Sequence, residues 1–181
     1  MNLIEKLLAR KEIFKGKIIH VHHDEIELPN GKKGLREVVD HPGGVMVAPL
    51  DEAGNLIFVS QFRYPFGEVL LELPAGKLEK GESPKEAGLR ELSEEAGCTA
   101  ETVVSLGEIY PTVAYCSEII YLFAATGLSY GETHLDEDEF VETSRIPLET
   151  AVEMVMDNRI RDAKTVAGIL KIDYMKKNGL L

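Results

Sequence analysis

The segment from Gly76 to Cys98, GKLEKGESPKEAGLRELSEEAGC, constrains this chain more than any other. Its middle is a helix with both ends written into it. Ser83 suits the N-cap, Pro84 the first helical position, and Glu86 stands where a capping box needs a carboxylate to reach back. Gly97 suits the left-handed residue that ends a helix. At about 100° per residue, Gly88, Leu89, Leu92 and Ala96 gather on one face, which is expected to pack on a sheet. Glu91 and Glu95 share an adjoining face, with Glu94 beside them. Like charges four residues apart cost about 0.2–0.5 kcal/mol in a bare helix. Such a face is therefore either a solvated surface, steadied by Glu86–Arg90 and Arg90–Glu94 pairs, or a cation site. On the helix alone the solvated surface is the commoner outcome. Oxygen-only ligands of this kind would suit Mg²⁺ or Mn²⁺, which keep waters and take phosphate oxygens as further ligands.

The wider spacing decides for the cation. Gly76 is followed by five residues and Glu82, then by seven residues and Arg90-Glu91-Leu92-x-Glu94-Glu95-x-Gly97-Cys98. This resembles the Nudix signature, G-x5-E-x7-R-E-U-x-E-E-x-G-U with U aliphatic, at every fixed position. Cys98 is the one soft match, serving as a small hydrophobe. The resemblance implies a Nudix fold of the α+β (mixed α/β) class, a mixed sheet sandwiched between helices. It implies Glu91 and Glu95 as main metal ligands and Arg90 as the catalytic-site residue that orients the acidic cluster. Glu94 would be an auxiliary metal or water contact, and Glu82 a support to the loop.

Similarity reaches beyond the signature, toward the ADP-ribose pyrophosphatase branch of that family. It is carried by ELPAGKLE, REVVDHPGGVMVAP, SQFRYP, and a DEDEF loop followed by a Pro-Leu-Glu helix and RDAKT. The resemblance implies that the Ala75 carbonyl binds metal. It puts Glu137 at the general base and Glu139 at an extra metal ligand, with the reverse assignment open. Arg36 and Arg63 would contact substrate, since a guanidinium holds phosphate oxygens bidentately. Glu118 matches a ribose-contacting acid loosely. The reaction implied is Mg²⁺-dependent hydrolysis of ADP-ribose to AMP and ribose 5-phosphate. Pro111 falls closer to the signature than the branch's usual proline, which keeps GDP-mannose or another nucleotide sugar as the alternative. A non-catalytic nucleotide-sensing module is the rival from another class. It is disfavoured because such modules commonly lose the box carboxylates that this chain keeps.

Composition sets the remaining bounds. The formal net charge of −11 argues against a nucleic-acid partner and obliges an anionic substrate to meet local arginines or bound cations. Two cysteines make no disulfide framework, and no apolar run reaches the roughly 18 residues of a membrane span, so a cytoplasmic protein without a membrane partner is expected. His20 and His22, without a cysteine partner, read as packing or surface residues.

Two domains are expected. Residues 1–43 would be an antiparallel β segment after a short helix over residues 3–10, with a turn at Pro29-Asn30-Gly31-Lys32; residues 44–181 would be the hydrolase domain, its last helix bearing Val166, Ile169, Leu170 and Tyr174 at helical spacing. A small hairpin unit is marginal alone. The resembling branch uses this segment to form a homodimer in which both subunits serve each adenine site.

Overall fold

The computed structural model describes residues 2–135 and 139–181. The chain forms two compact units: residues up to Gly43 together with Tyr110–Ile119, and Gly44–Ile109 together with Ile120–Leu181.

The first unit is built on an antiparallel sheet of β1 (Lys6–Lys15), β2 (His20–Glu27) and β3 (Lys33–Asp40), in that order. The expected turn joins β2 to β3, with Leu28 N–H donating to the Lys32 carbonyl and Gly31 at φ 79°. The helix expected over residues 3–10 is absent; most of that stretch is strand β1. A helix that short is marginal in water. Pairing with β2 satisfies its backbone instead and sets Lys6 opposite Glu27 and Arg10 opposite Asp24. Arg10 grips Asp24 through Nε at 2.8 Å and Nη2 at 2.7 Å. His22 is buried in this sheet beside Asp40, while Ile18 stays exposed.

The second unit is layered around strand β4 (Gly44–Pro49), buried along its whole length, and the strands beside it. The unit's other strands are β5 (Asn55–Arg63), β6 (Glu68–Glu72), β7 (Ala75–Lys77), β8 (Cys98–Ile109), β9 (Ile120–Tyr130) and β10 (Val141–Pro147). They pair in two sheets, β10-β5-β6 and β7-β4-β9-β8, with β4 parallel to β9 and the other pairs antiparallel. Alternate residues of a strand point to opposite faces. Val45 and Val47 of β4, with Phe123 and Ala125 of β9, therefore pack against Ala87 and Leu92 of α1 (Pro84–Ala96). Met46 and Ala48, with Leu122 and Ala124, join the core completed by α2 (Leu148–Met156) and α3 (Ala163–Lys177). Burying each large apolar side chain in these layers contributes about 1.5–3 kcal/mol.

Helix α1 begins and ends as its sequence requires. The Ser83 side chain accepts from Glu86 N–H, Glu86 returns the bond to the Ser83 backbone, and Gly97 is left-handed at φ 59°. Its buried stripe differs from the expected one. Ala87, Gly88, Glu91, Leu92 and Glu95 are buried, and Leu89 is exposed. Gly88 lets the helix sit so close to β4 that a Cβ there would meet Val47 at 3.0 Å. The helix thus turns carboxylates toward the sheet. On α3 the buried residues are Thr165, Gly168, Ile169 and Ile172, with Leu170 and Tyr174 exposed, against the expected stripe. Among the described residues no helix is long and apolar enough to cross a membrane.

Candidate active site

The site is where β7 meets α1. Strand β7 runs antiparallel to β4, with Ala75 opposite Met46 and Gly76 opposite Val45. This puts the Ala75–Gly76 backbone beneath the inward carboxylates of α1. Ala75 N–H donates to Glu95 Oε2 at 2.9 Å. A Cβ built on Gly76 would overlap the Glu91 carboxylate, so only glycine leaves that oxygen pair its present place. Gly76→Ala is expected to displace Glu91 and lower metal-supported turnover at least about tenfold, a cost near 1.4 kcal/mol in the barrier. Turnover read beside a thermal melt checks this, and normal turnover in a folded variant would count against it.

Arg90 holds the acidic cluster from the outer side. Its Nε and Nη2 donate to the two oxygens of Glu82 at 3.0 and 3.1 Å, and Nη1 donates to Glu91 at 2.8 Å and Glu94 at 2.9 Å. Nη2 also donates to the Lys77 carbonyl at 3.2 Å. Glu82 takes Glu79 N–H as well, so it ties the loop to the helix. One guanidinium serving three carboxylates keeps its own proton firmly, with Glu82 the largest cause.

Glu91 and Glu95 are 6% and 3% exposed. Burial pushes both carboxyls up; Glu95 reaches about 8 as the charges of Glu91 and Glu139 add to its burial. Two buried like charges in one place are unfavourable unless a cation joins them. Among the described residues no three His, Cys, Asp or Glu side chains stand in a closed ligand cluster. The open oxygen-only set fits a hard divalent ion that keeps several waters.

Arg63, at the end of β5, turns back along its strand to Glu72 on β6. Nε donates to one Glu72 oxygen at 2.6 Å and Nη2 to the other at 2.7 Å. Lys164 Nζ also bonds Glu72 and lies 2.9 Å from Asp162, the N-cap of α3. Thr165 Oγ1, buried in the same turn, accepts Leu73 N–H at 2.9 Å. Glu72 is 2% exposed. Burial pushes its carboxyl up, but the bonds from Arg63 and Lys164 outweigh burial and hold it below the usual glutamate value.

A carboxylate so held contributes stability that is complete above its unfolded value and fades as pH falls through the folded one. Glu72→Gln is expected to cost about 2 kcal/mol at neutral pH, because it removes the shared carboxylate of the mostly buried Lys164 and the part-exposed Arg63. The difference from the unaltered protein should shrink as the pH drops below about 4. Urea melts across that range read it, and a gap independent of pH would contradict this role.

The structure thus brings together Ala75, Glu82, Arg90, Glu91, Glu94 and Glu95, with the charges of Glu139 and Arg63 acting on Glu95. Arg36 and Glu118 belong to the other unit. There Arg36 Nε donates to Glu5 at 3.1 Å, and Glu118 lies 3.4 Å from His41 Nδ1. Glu137 lies outside the described residues. Sequence reasoning missed Glu72, Asp162, Lys164 and Thr165, although all four sit inside the ELPAG and RDAKT segments it had marked.

Residues 40–168 match the NUDIX domain family, and residues 5–39 match a nucleoside diphosphate sugar hydrolase N-terminal domain. The chain is 44% identical over 170 residues to a Bacillus subtilis protein named ADP-ribose pyrophosphatase, spanning 93% of this chain and 92% of that one. It is 40% identical over 167 residues to the methanol dehydrogenase activator of Bacillus methanolicus, spanning 91% and 90%. With a GDP-mannose pyrophosphatase of Yersinia enterocolitica it shares 34% identity over 198 residues, spanning 99% and 96%. A solved structure described as an ADP compounds hydrolase shares the fold, with a TM-score of 0.85 at 22% identity over 98% of this chain and 97% of that one. Glu91 and Glu95 of the signature lie buried on α1, the NUDIX match spans most of the chain, and the Bacillus subtilis pyrophosphatase aligns with it over nearly its whole length; the chain belongs to the Nudix family and is a Nudix hydrolase.

Proposed function

We propose that the protein hydrolyses the diphosphate of ADP-ribose to AMP and ribose 5-phosphate with Mg²⁺. The observation that carries this reading is the buried, like-charged pair Glu91 and Glu95 beside the Ala75–Gly76 backbone. Glu91, Glu95, Glu94, Glu139 and the Ala75 carbonyl would hold Mg²⁺, with Mn²⁺ as a substitute. Such an ion neutralises charge on the diphosphate and makes its bound water more acidic. Arg90 restrains Glu91 and Glu94, so the carboxylates need little reorganisation when charge develops. Arg63, and Arg36 beside it in role, would hold phosphoryl oxygens; Glu118 would accept from a ribose hydroxyl. Glu137 would take the proton of the attacking water and Glu139 would serve the metal, the reverse being the alternative. The water oxygen then bonds to one phosphorus as the anhydride P–O bond breaks.

The ADP-ribose assignment follows the Bacillus subtilis relative. GDP-mannose is the second reading, favoured by the match to the Yersinia protein along almost the whole chain. A panel of nucleoside diphosphate derivatives with Mg²⁺ tests the reading. A kcat/KM highest for ADP-ribose supports it; one highest for GDP-mannose selects the alternative.

The reading includes a cytoplasmic homodimer built through the N-terminal unit. Strand β1 leaves Leu7, Leu8, Ile13 and Phe14 exposed on the edge of its sheet. A long apolar edge of this kind is a template for association. Light scattering is expected to give twice the chain mass of 20.0 kDa. A fully active monomer would overturn both the dimer and any sharing of the site.

A further inference from the structure

We propose that Lys164 is a positioning residue of the diphosphate site: by sharing the buried Glu72 carboxylate with Arg63, it fixes the guanidinium that receives a phosphoryl oxygen. The proposal rests on the nucleotide-sugar reading above. Lys164 breaks two local rules. It sits in the first turn of α3, two residues after the N-cap Asp162, where the helix dipole disfavours a cation. Its side chain is also only 11% exposed, although lysine ordinarily keeps its ammonium in water. A residue that opposes its own surroundings twice needs a compensating partner, and such violations concentrate at functional sites. Glu72 and Asp162 are those partners.

The geometry shows what the arrangement does for Arg63. Arg63 meets Glu72 with its Nε and Nη2, so Nη1 lies on the far side of the planar guanidinium. Lys164 holds the second Glu72 oxygen while Asp162 balances the Lys164 charge, so the carboxylate is fixed from two sides and holds the plane of the Arg63 guanidinium with it. Arg63 is a third exposed at its side chain, and its charge acts on Glu95, which places it toward the acidic cluster. The same helical turn steadies the strand from Glu72 to Ala75, through the Thr165 bond to Leu73 and the Ala75 bond to Glu95. Lys164 thus acts through Arg63, without touching substrate.

The test is a double-mutant cycle of Lys164→Gln and Arg63→Gln, read as KM and kcat for ADP-ribose with Mg²⁺ and as calorimetric affinity for ADP. Lys164→Gln is expected to raise KM about tenfold with kcat changed less than about twofold, and to weaken ADP binding alike. In the Arg63→Gln background it should add no further KM change, since residues acting in one chain are non-additive. Lys164→Arg should restore KM. Should Lys164→Gln fail to fold, Lys164→Met keeps the apolar stem and carries the same expectation. A lower melting temperature with unchanged KM, or an equal KM increase in both backgrounds, would overturn the proposal while the functional reading stands. An unaltered protein that neither binds ADP nor cleaves any nucleotide sugar would overturn the functional reading, and the proposal with it.

Discussion

Glu95→Gln is expected to lower turnover by about 10³-fold, equivalent to roughly 4 kcal/mol of barrier, while the folded protein survives. The two halves of that result have different causes. An amide is a poorer ligand than a carboxylate for a hard cation, so loss of the Glu95 charge removes a main ligand. The fold persists because the amide oxygen can still accept Ala75 N–H, and because an amide, unlike a carboxylate, brings no charge into this buried place beside Glu91 and Glu139. Burying a like charge without its cation is unfavourable. The metal-free variant should therefore melt no lower than the metal-free unaltered protein. Turnover with Mg²⁺ and melts in a chelator measure both halves. Near-normal turnover in a folded variant would remove Glu95 from the metal site.

Glu137→Gln should lower kcat by about 10²- to 10⁴-fold and leave KM nearly unchanged, because a general base acts mainly in the transition state. Glu139→Gln should behave differently. Its charge acts on both Glu91 and Glu95, so its loss should weaken metal affinity, shifting the Mg²⁺ concentration needed for half activity. The two variants thus separate by what rescues them: added Mg²⁺ recovers Glu139→Gln and does not recover Glu137→Gln. The opposite pattern would exchange the two roles. Normal kinetics in both would reduce the loop to a solvated surface.

What was legible in the sequence was local. The capping box, the left-handed Gly97 and the paired carboxylates of α1 depend on residues within a few positions of one another, and the structure has all three. The alternating faces of β4 and β9 were hidden because both faces are buried, which leaves a continuous apolar run with no period to read. Leu89 shows the limit of a helical wheel. Its stripe looked right, yet the face of the helix that Gly88 sets close against β4 leaves Glu91 buried and Leu89 exposed. Strand β1 was misjudged for a similar reason, since pairing with β2 overrode a weak helical pattern. The contacts of Lys164 with Glu72 and of Thr165 with Leu73 join segments far apart in the chain, and no spacing rule reaches them.

The central claim is that this protein opens a nucleotide-sugar diphosphate with water and a divalent cation. Incubation with ADP-ribose and Mg²⁺ in heavy-oxygen water, followed by mass analysis of the products, tests it most directly. The expected products are AMP and ribose 5-phosphate in equal amounts, one of the two carrying a single heavy oxygen on its phosphate, with no product when the metal is chelated. Intact ADP-ribose, cleavage that persists in the chelator, or release of free phosphate in place of the two monophosphates would contradict it.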